Sequence, residues 1–218
     1  MKTDSAYQYW NDQWAVADGT SKWARPDPEV MTHAATLPPG ARVLDLGAGI
    51  GRHAVMLARL GFDVVALDAA PQGLATIRNA ADTAGARIET VQAMMTDLPF
   101  ADGSFDHVLS WNVIYHGDEA IVSRSIAEIT RVLRPGDTFM GTMLSARRLP
   151  VERAKAAGTE ISRNTWVFDG PGDKVHPHYF CNGRDLLSLF AGFEVLSLAD
   201  QLHDSPGSWH WHLLAERL

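Results

Sequence analysis

The sequence is nearly free of cysteine. Cys181 is the single thiol among 218 residues, which excludes an internal disulfide and fits a reducing compartment. An excess of positive charge is also missing: 19 Lys and Arg stand against 26 Asp and Glu, a formal charge of −7 with pI near 5.7. Nucleic-acid binding rests on neutralised phosphates, so this balance argues against such a partner. No run of roughly 18 apolar residues occurs, and the opening Met1-Lys2-Thr3-Asp4-Ser5-Ala6-Tyr7 has no apolar segment of the signal-peptide kind. The expectation is a soluble, cytoplasmic protein with no membrane partner. Repeats and low-complexity tracts are absent as well. The length allows one well-buried core and little more, so residues 1–218 read as a single domain, monomer or homodimer.

Glycine is placed where it carries meaning. Val43-Leu44-Asp45-Leu46 is an apolar run that breaks into Gly47-Ala48-Gly49-Ile50-Gly51 and then into a helix-forming stretch, Ala54 to Leu60. A ligand approaches a backbone closely only where no Cβ intrudes, and glycine supplies the unusual φ values such a loop needs. Asp68 follows 21 residues after Gly47, at the end of a second apolar run, Phe62 to Leu67. That is the place for an acid that accepts from a ribose diol.

The rest of the chain alternates helix and strand. Strands are expected at 42–46, 63–67 and 87–91, helices at 51–60 and at 71–84 behind Pro71. Ser104 to Trp111 is the next strand, and Asp118 caps a helix with Ile121, Val122, Ile126, Ile129 and Leu133 on a 3.6-residue period. Arg134-Pro135-Gly136 stops it, and Thr138 to Leu144 returns as a strand. Asp185 to Phe190 reads as a short helix, with last strands at 193–196 and 208–216. This pattern predicts an α/β, doubly wound, mainly parallel sheet. Residues 1–36 form an aromatic helical arm with Tyr9, Trp10, Trp14 and Trp23, either packed on the sheet edge or closing as a lid. Residues 37–145 form the core, 146–184 a polar, irregular insertion over the site, and 185–218 the closing helix and strands.

A glycine loop after a strand is common to several nucleotide-binding classes. Here the spacing is G-x-G-x-G with an acid two residues ahead, not the G-x-G-x-x-G of nicotinamide enzymes, and no second glycine loop follows to hold a pyrophosphate. Together with Asp68, Leu98-Pro99-Phe100, Asp102-Gly103-Ser104-Phe105-Asp106 and Leu133-Arg134-Pro135-Gly136, the loop resembles the class I S-adenosylmethionine-dependent methyltransferases. The resemblance implies S-adenosyl-L-methionine as cofactor and seven strands in the order 3-2-1-4-5-7-6, the seventh antiparallel. It also implies cofactor contacts from Asp45, Gly47, Ala48, Gly49, Asp68, Ala69, Met94, Met95, Trp111 and Asn112. Two positions depart from the family pattern. Met94 stands where many relatives carry an aspartate for the adenine amino group, with Asp97 as a distant substitute. Asp137 replaces a second glycine after Arg-Pro-Gly, which calls for some left-handed strain.

The acceptor is far less legible. Loops beyond the strand carboxyl ends should supply it, which singles out His116, His176 and Arg184 for catalysis and Trp14, Tyr115, His178 and Tyr179 for substrate contact. Each has a plainer reading: capping or packing for His116, loop hydrogen bonds for His176 and His178, surface pairing with Asp185 or Asp169 for Arg184. His210 and His212 share one face of the last strand and are expected to pack on helices. The two His-x-His steps lack cysteine or acidic partners in sequence, so no metal is expected. The full-length pattern is also similar to small methyltransferases of the tellurite-resistance and thiopurine type. That similarity implies a small-molecule acceptor such as a thiol or chalcogen oxyanion. The alternatives are a non-catalytic cofactor-binding regulatory module and an O- or N-methyltransferase of a metabolite.

Overall fold

The computed structural model describes residues 3–203 and 205–218. In chain order its elements are α1 (Ala6–Val16), α2 (Pro28–Ala34), β1 (Arg42–Leu46), α3 (Arg52–Arg59), β2 (Asp63–Asp68), α4 (Pro71–Ala84) and β3 (Ile88–Gln92). Then come β4 (Phe105–Ser110), α5 (Glu119–Val132), β5 (Leu133–Ser145), α6 (Leu149–Lys155), β6 (Gly158–Ser162), β7 (Thr165–Phe168) and β8 (His178–Cys181). The chain closes with α7 (Gly183–Leu189), β9 (Phe193–Leu202) and β10 (Trp209–Arg217). No helix among the described residues is long and apolar enough to cross a membrane.

Local chemistry sets the boundaries. Pro71 opens α4, where its fixed φ suits a first helical turn, and Gly85 closes it in the left-handed region at φ 61°. Asp118 caps α5 by accepting from the Ile121 N–H. Strands β1, β2 and β4 are buried on both faces, which is why they read as continuous apolar runs. Along β1, Leu44 and Leu46 join the core with Phe105, Phe139 and Phe190, while Val43 turns to the opposite core with Val64, Leu57 and Ile77.

The sheet is mainly parallel in the order β3-β2-β1-β4-β5, with β10 antiparallel to β5 and β9 antiparallel to β10. Among the described residues it has ten strands rather than the expected seven. The additional three come from the segment expected to be irregular. There β6 and β7 form a hairpin, β7 pairs antiparallel with β8, and β8 runs parallel to Leu144 and Ser145 at the end of β5. β6 is almost wholly exposed and so has no apolar alternation to betray it. β8 takes the place beside β5 that β4 leaves at Ser110, so the hairpin stands over the carboxyl edge of the sheet.

Strand β5 begins at Leu133, earlier than expected, because Leu133 already pairs with Phe105; residues 134–137 bulge before Thr138 meets His107. Gly136 takes the positive φ of that bulge, 83°, and Asp137 does not. The strain expected at Asp137 is therefore absent.

Candidate active site

The carboxyl ends of β1, β2, β4 and β5 border a cavity of about 440 Å3, within the roughly 300–1,000 Å3 usual for small-molecule sites. One end is built from backbone. Gly47, Gly49 and Gly51 have φ of 75°, 56° and 86°, a region side chains disfavour. A Cβ on Gly47 would stand 2.4 Å from the Val113 side chain, and one on Gly73 of α4 would stand 2.3 Å from the Gly49 carbonyl oxygen. The loop is thus threaded between α4 and the turn after β4 with no space for side chains. Its amides are anchored: Gly47 and Ala48 donate to the Leu67 carbonyl at 2.7 and 3.0 Å.

Asp68 holds the same loop while lining the cavity. Its two oxygens accept from the Gly49 and Ala70 N–H groups at 2.7 and 2.8 Å, and each keeps a further lone pair. Burial pushes its carboxyl up, against the pull of those amides. Asp45 behaves differently. It lies outside the cavity lining, on the α3 side of β1, and its Oδ2 has no partner. Burial, opposed by Arg52, raises its carboxyl to about 7. The expectation that Asp45 borders the ligand is corrected to a position behind the loop.

Ala48, Ala69, Met94, Met95, Trp111 and Asn112 all line the cavity, whereas Asp97 is exposed and does not. Asn112 has φ 66°, rare for a residue with a side chain. Thr142 supports it, its hydroxyl accepting from the Asn112 N–H at 2.8 Å and donating to Asn112 Oδ1 at 3.1 Å. The arm covers this end. Trp14 packs over Gly49, stacks on Trp10 at 4.9 Å and meets Gly73. Trp14 therefore sits against the glycine loop, and Trp10 stands between it and His116, its ring 6.3 Å from that imidazole.

That opposite end is made of side chains brought from far apart: Tyr115, His116, Arg148, Asp173, Lys174, His203 and His210. His116 Nδ1 donates to the Val113 carbonyl at 2.7 Å, and its Nε2 faces Asp173 Oδ2 at 3.5 Å. His178 Nδ1 donates to the His176 carbonyl at 2.8 Å, with Nε2 3.2 Å from the same oxygen. Burial opposes ionisation of Asp173, but the two imidazoles and Lys174 outweigh it and hold the carboxyl far below its usual range. Burial lowers the Lys174 ammonium and raises the Tyr115 phenol. Arg148 donates to Glu152 at 2.6 Å and Ser208 at 2.9 Å, with His210 Nε2 3.2 Å away. Burial drives His210 down to about 2. His212 instead reaches Glu29 of α2 at 2.6 Å and His203 at 2.6 Å. Only His212 thus meets a helix as expected; His210 faces the cavity.

Three expected residues lie elsewhere. Arg184 is exposed on α7 outside the lining, and Asp185, its expected partner, is bound by Arg163. Tyr179 is fully buried in the core behind β8, near Asn164. His176 is half-buried on the outer side, where Nδ1 meets the Ser5 hydroxyl at 2.9 Å. His178 is fully buried and meets the site through Asp173 and through its ring contact with His116 at 4.6 Å. Arg148, Asp173 and Lys174 were not anticipated. They come from the segment expected to cover the site, but no spacing within it marks them.

Residues 43–136 match the family described as "Methyltransferase domain". The ubiquinone biosynthesis O-methyltransferase of Cereibacter sphaeroides is 31% identical over 179 residues, 80% of this chain and 68% of that protein. An uncharacterised methyltransferase of Synechocystis is 38% identical over 101 residues, so that the match spans only 46% of its length. The fold resembles that of a SAM-dependent methyltransferase from Methanosarcina mazei, with TM-score 0.75 at 20% identity over 89% of this chain and 99% of that one. It also resembles TehB from Haemophilus influenzae, with TM-score 0.66 at 16% identity over 98% and 67% of the two chains.

Proposed function

The chain belongs to the class I S-adenosylmethionine-dependent methyltransferases, and from that premise we propose that it methylates a small acceptor that reacts as an anion, a thiolate or a chalcogen oxyanion. The observation that carries this reading is a single cavity joining two unlike ends, the glycine loop with Asp68 and a group containing Arg148, Lys174, His116 and His210.

The first end fits S-adenosylmethionine. Gly47, Ala48 and Gly49 allow close backbone approach, Asp68 retains lone pairs for ribose hydroxyls, and Met95 offers backbone to a purine edge. Trp111 and Asn112 border the methionyl part. Asp45, behind the loop with one oxygen unpartnered, has its carboxyl raised by burial, and a nearby ammonium would favour its ionised form. Asp97, outside the lining, does not replace the aspartate missing at Met94, and the adenine amino group is met by packing. The cofactor, when bound, supplies a methyl group already activated by the sulfonium. The chain's task is to orient a nucleophile, which contributes roughly 7–11 kcal/mol when alignment is good.

At the second end Arg148 and Lys174 attract the anion, while Tyr115 and His116 wall the space. The seat of an anionic acceptor thus moves from Arg184, its expected place, to Arg148. We treat residues 1–218 as one catalytic unit, the arm covering the donor and residues 146–184 covering the acceptor. An O-methyl reading follows the name of the Cereibacter relative and confines Arg148 and Lys174 to holding Glu152, Ser208 and Asp173. Turnover of labelled S-adenosylmethionine across thiols, selenium and tellurium oxyanions, phenols and amines tests the proposal. Thiol or oxyanion turnover is expected. Turnover of phenols or amines alone, or of nothing despite tight cofactor binding, overturns it.

A further inference from the structure

Asp173 and His178, five residues apart, converge with the distant His116 on one point at the acceptor end. All three present a ligand atom, and these atoms lie within 4.8 Å of one another. A backbone carbonyl can only accept, so each histidine commits its Nδ1–H outward, His116 to Val113 and His178 to His176. A neutral imidazole has one N–H, so with Nδ1–H committed outward each Nε2 meets Asp173 Oδ2 either through an added proton, as an imidazolium–carboxylate pair, or through a bound cation. One cation between the three ligand atoms serves both rings at once. The other Asp173 oxygen lies 3.5 Å from the Lys174 ammonium, which fixes the carboxylate's orientation.

We propose that His116 Nε2, His178 Nε2 and Asp173 Oδ2 bind one divalent transition-metal ion of the zinc class. Two imidazoles and a carboxylate, with one position open, is a ligand set of catalytic zinc sites. The outward Nδ1–H bonds are the outer-sphere contacts that orient ligating histidines. Distances agree. Tetrahedral ligands bonded at about 2.0–2.1 Å stand about 3.3 Å apart, and the two Nε2 to Oδ2 separations are 3.5 and 3.2 Å. His178 is fully buried whereas His116 and Asp173 line the cavity, so the open position faces the acceptor space. The expectation of no metal passes over Asp173, which stands just before the His176-Pro177-His178 step. The short turn at Asp173–Val175 supplies its carboxylate through the fold.

The site is argued from its ligands alone. If the acceptor reading also holds, the ion lowers the pKa of a coordinated thiol, whose proton leaves to solvent before the sulfur lone pair meets the methyl group. The test reads metal binding, not methyl transfer, so either reading can fail without the other. The full chain, stripped with a chelator, is titrated with Co2+ and then with Zn2+. One equivalent of Co2+ with the visible absorption of a four- or five-coordinate ion is expected, displaced by Zn2+. Asp173→Asn and His116→Gln should each weaken binding at least tenfold, in the range of roughly 10–100-fold seen even for outer-sphere changes. His212→Gln, in the neighbouring histidine group, should leave it unchanged. Zn2+ should raise the melting temperature of the wild type and not of Asp173→Asn, a readout that holds if a variant is partly destabilised. Absent or non-stoichiometric Co2+ binding by the wild type overturns the site, as does loss in His212→Gln with retention in Asp173→Asn.

Discussion

The two ends of the cavity are built by different means. At the donor end the functional atoms are mostly backbone, supplied by one strand, one loop and one helix contiguous from 42 to 59, plus an acid 21 residues after the first glycine. At the acceptor end they are side chains from the turn after β4, from residues 148–178 and from β10. The first arrangement tolerates almost no change in shape and much change in surroundings. The second tolerates change in shape, provided charge and hydrogen bonding are kept.

Substitutions can break or sharpen that contrast. The largest effect is expected from Asp68→Ala, which removes the acceptor for the Gly49 and Ala70 amides and, on the proposed reading, for two ribose hydroxyls. Hydrogen bonds to a charged group contribute about 1.5–3 kcal/mol each, so S-adenosylmethionine affinity by titration calorimetry should fall about 100-fold. Gly73→Ala comes next. Alanine in a helix should stabilise by about 0.8–1.0 kcal/mol, but here the new Cβ meets the Gly49 carbonyl. A net loss of about 1–3 kcal/mol in denaturant unfolding, with weaker cofactor binding, is expected. A stabilised variant would show that the loop is looser than its threading implies.

Arg148→Lys probes the other end. It keeps the charge and loses the fork that joins Glu152 and Ser208, so acceptor KM should rise roughly tenfold while cofactor affinity stays at the wild-type value. A parallel loss of cofactor affinity would erase the division between the ends. The pH response offers a control away from the cavity. Burial, with His33 adding to it, lowers His107 to about 3, below its unfolded value near 6.5. Its contribution is present above pH 6.5 and is lost as pH falls from there toward 3. His107→Gln should flatten the acid side of the stability curve by up to about 1.4 kcal/mol per pH unit. The smallest effect belongs to Arg184→Ala, which should change stability by less than about 0.5 kcal/mol and leave acceptor KM unaltered.

Legibility in the sequence follows the same division. Helix α4 was readable to the residue because Pro71 and Gly85 mark its ends with backbone constraints. Strands β1, β2 and β4 were readable because burial on both faces makes continuous apolar runs. The β6–β7 hairpin was not, since an exposed two-stranded ribbon leaves no apolar period. Arg184 drew attention as a charge near a histidine step, yet its helix turns it to solvent. Arg148 sits beside another arginine, Arg147, and nothing local says which one points inward. The direction is set by Glu152 and Ser208.

The sequence by itself determined the donor half of this protein: the sheet core, the glycine loop, the acid after β2 and the methyltransferase family. Those features depend on φ, on the absence of Cβ and on apolar period, which are local properties. Only the tertiary structure decided the acceptor half. Asp173 lies 57 residues from His116 and meets it because β8 slips in beside β5 where β4 ends. No spacing within a chain encodes such a meeting, because it is produced by the packing of elements on one another.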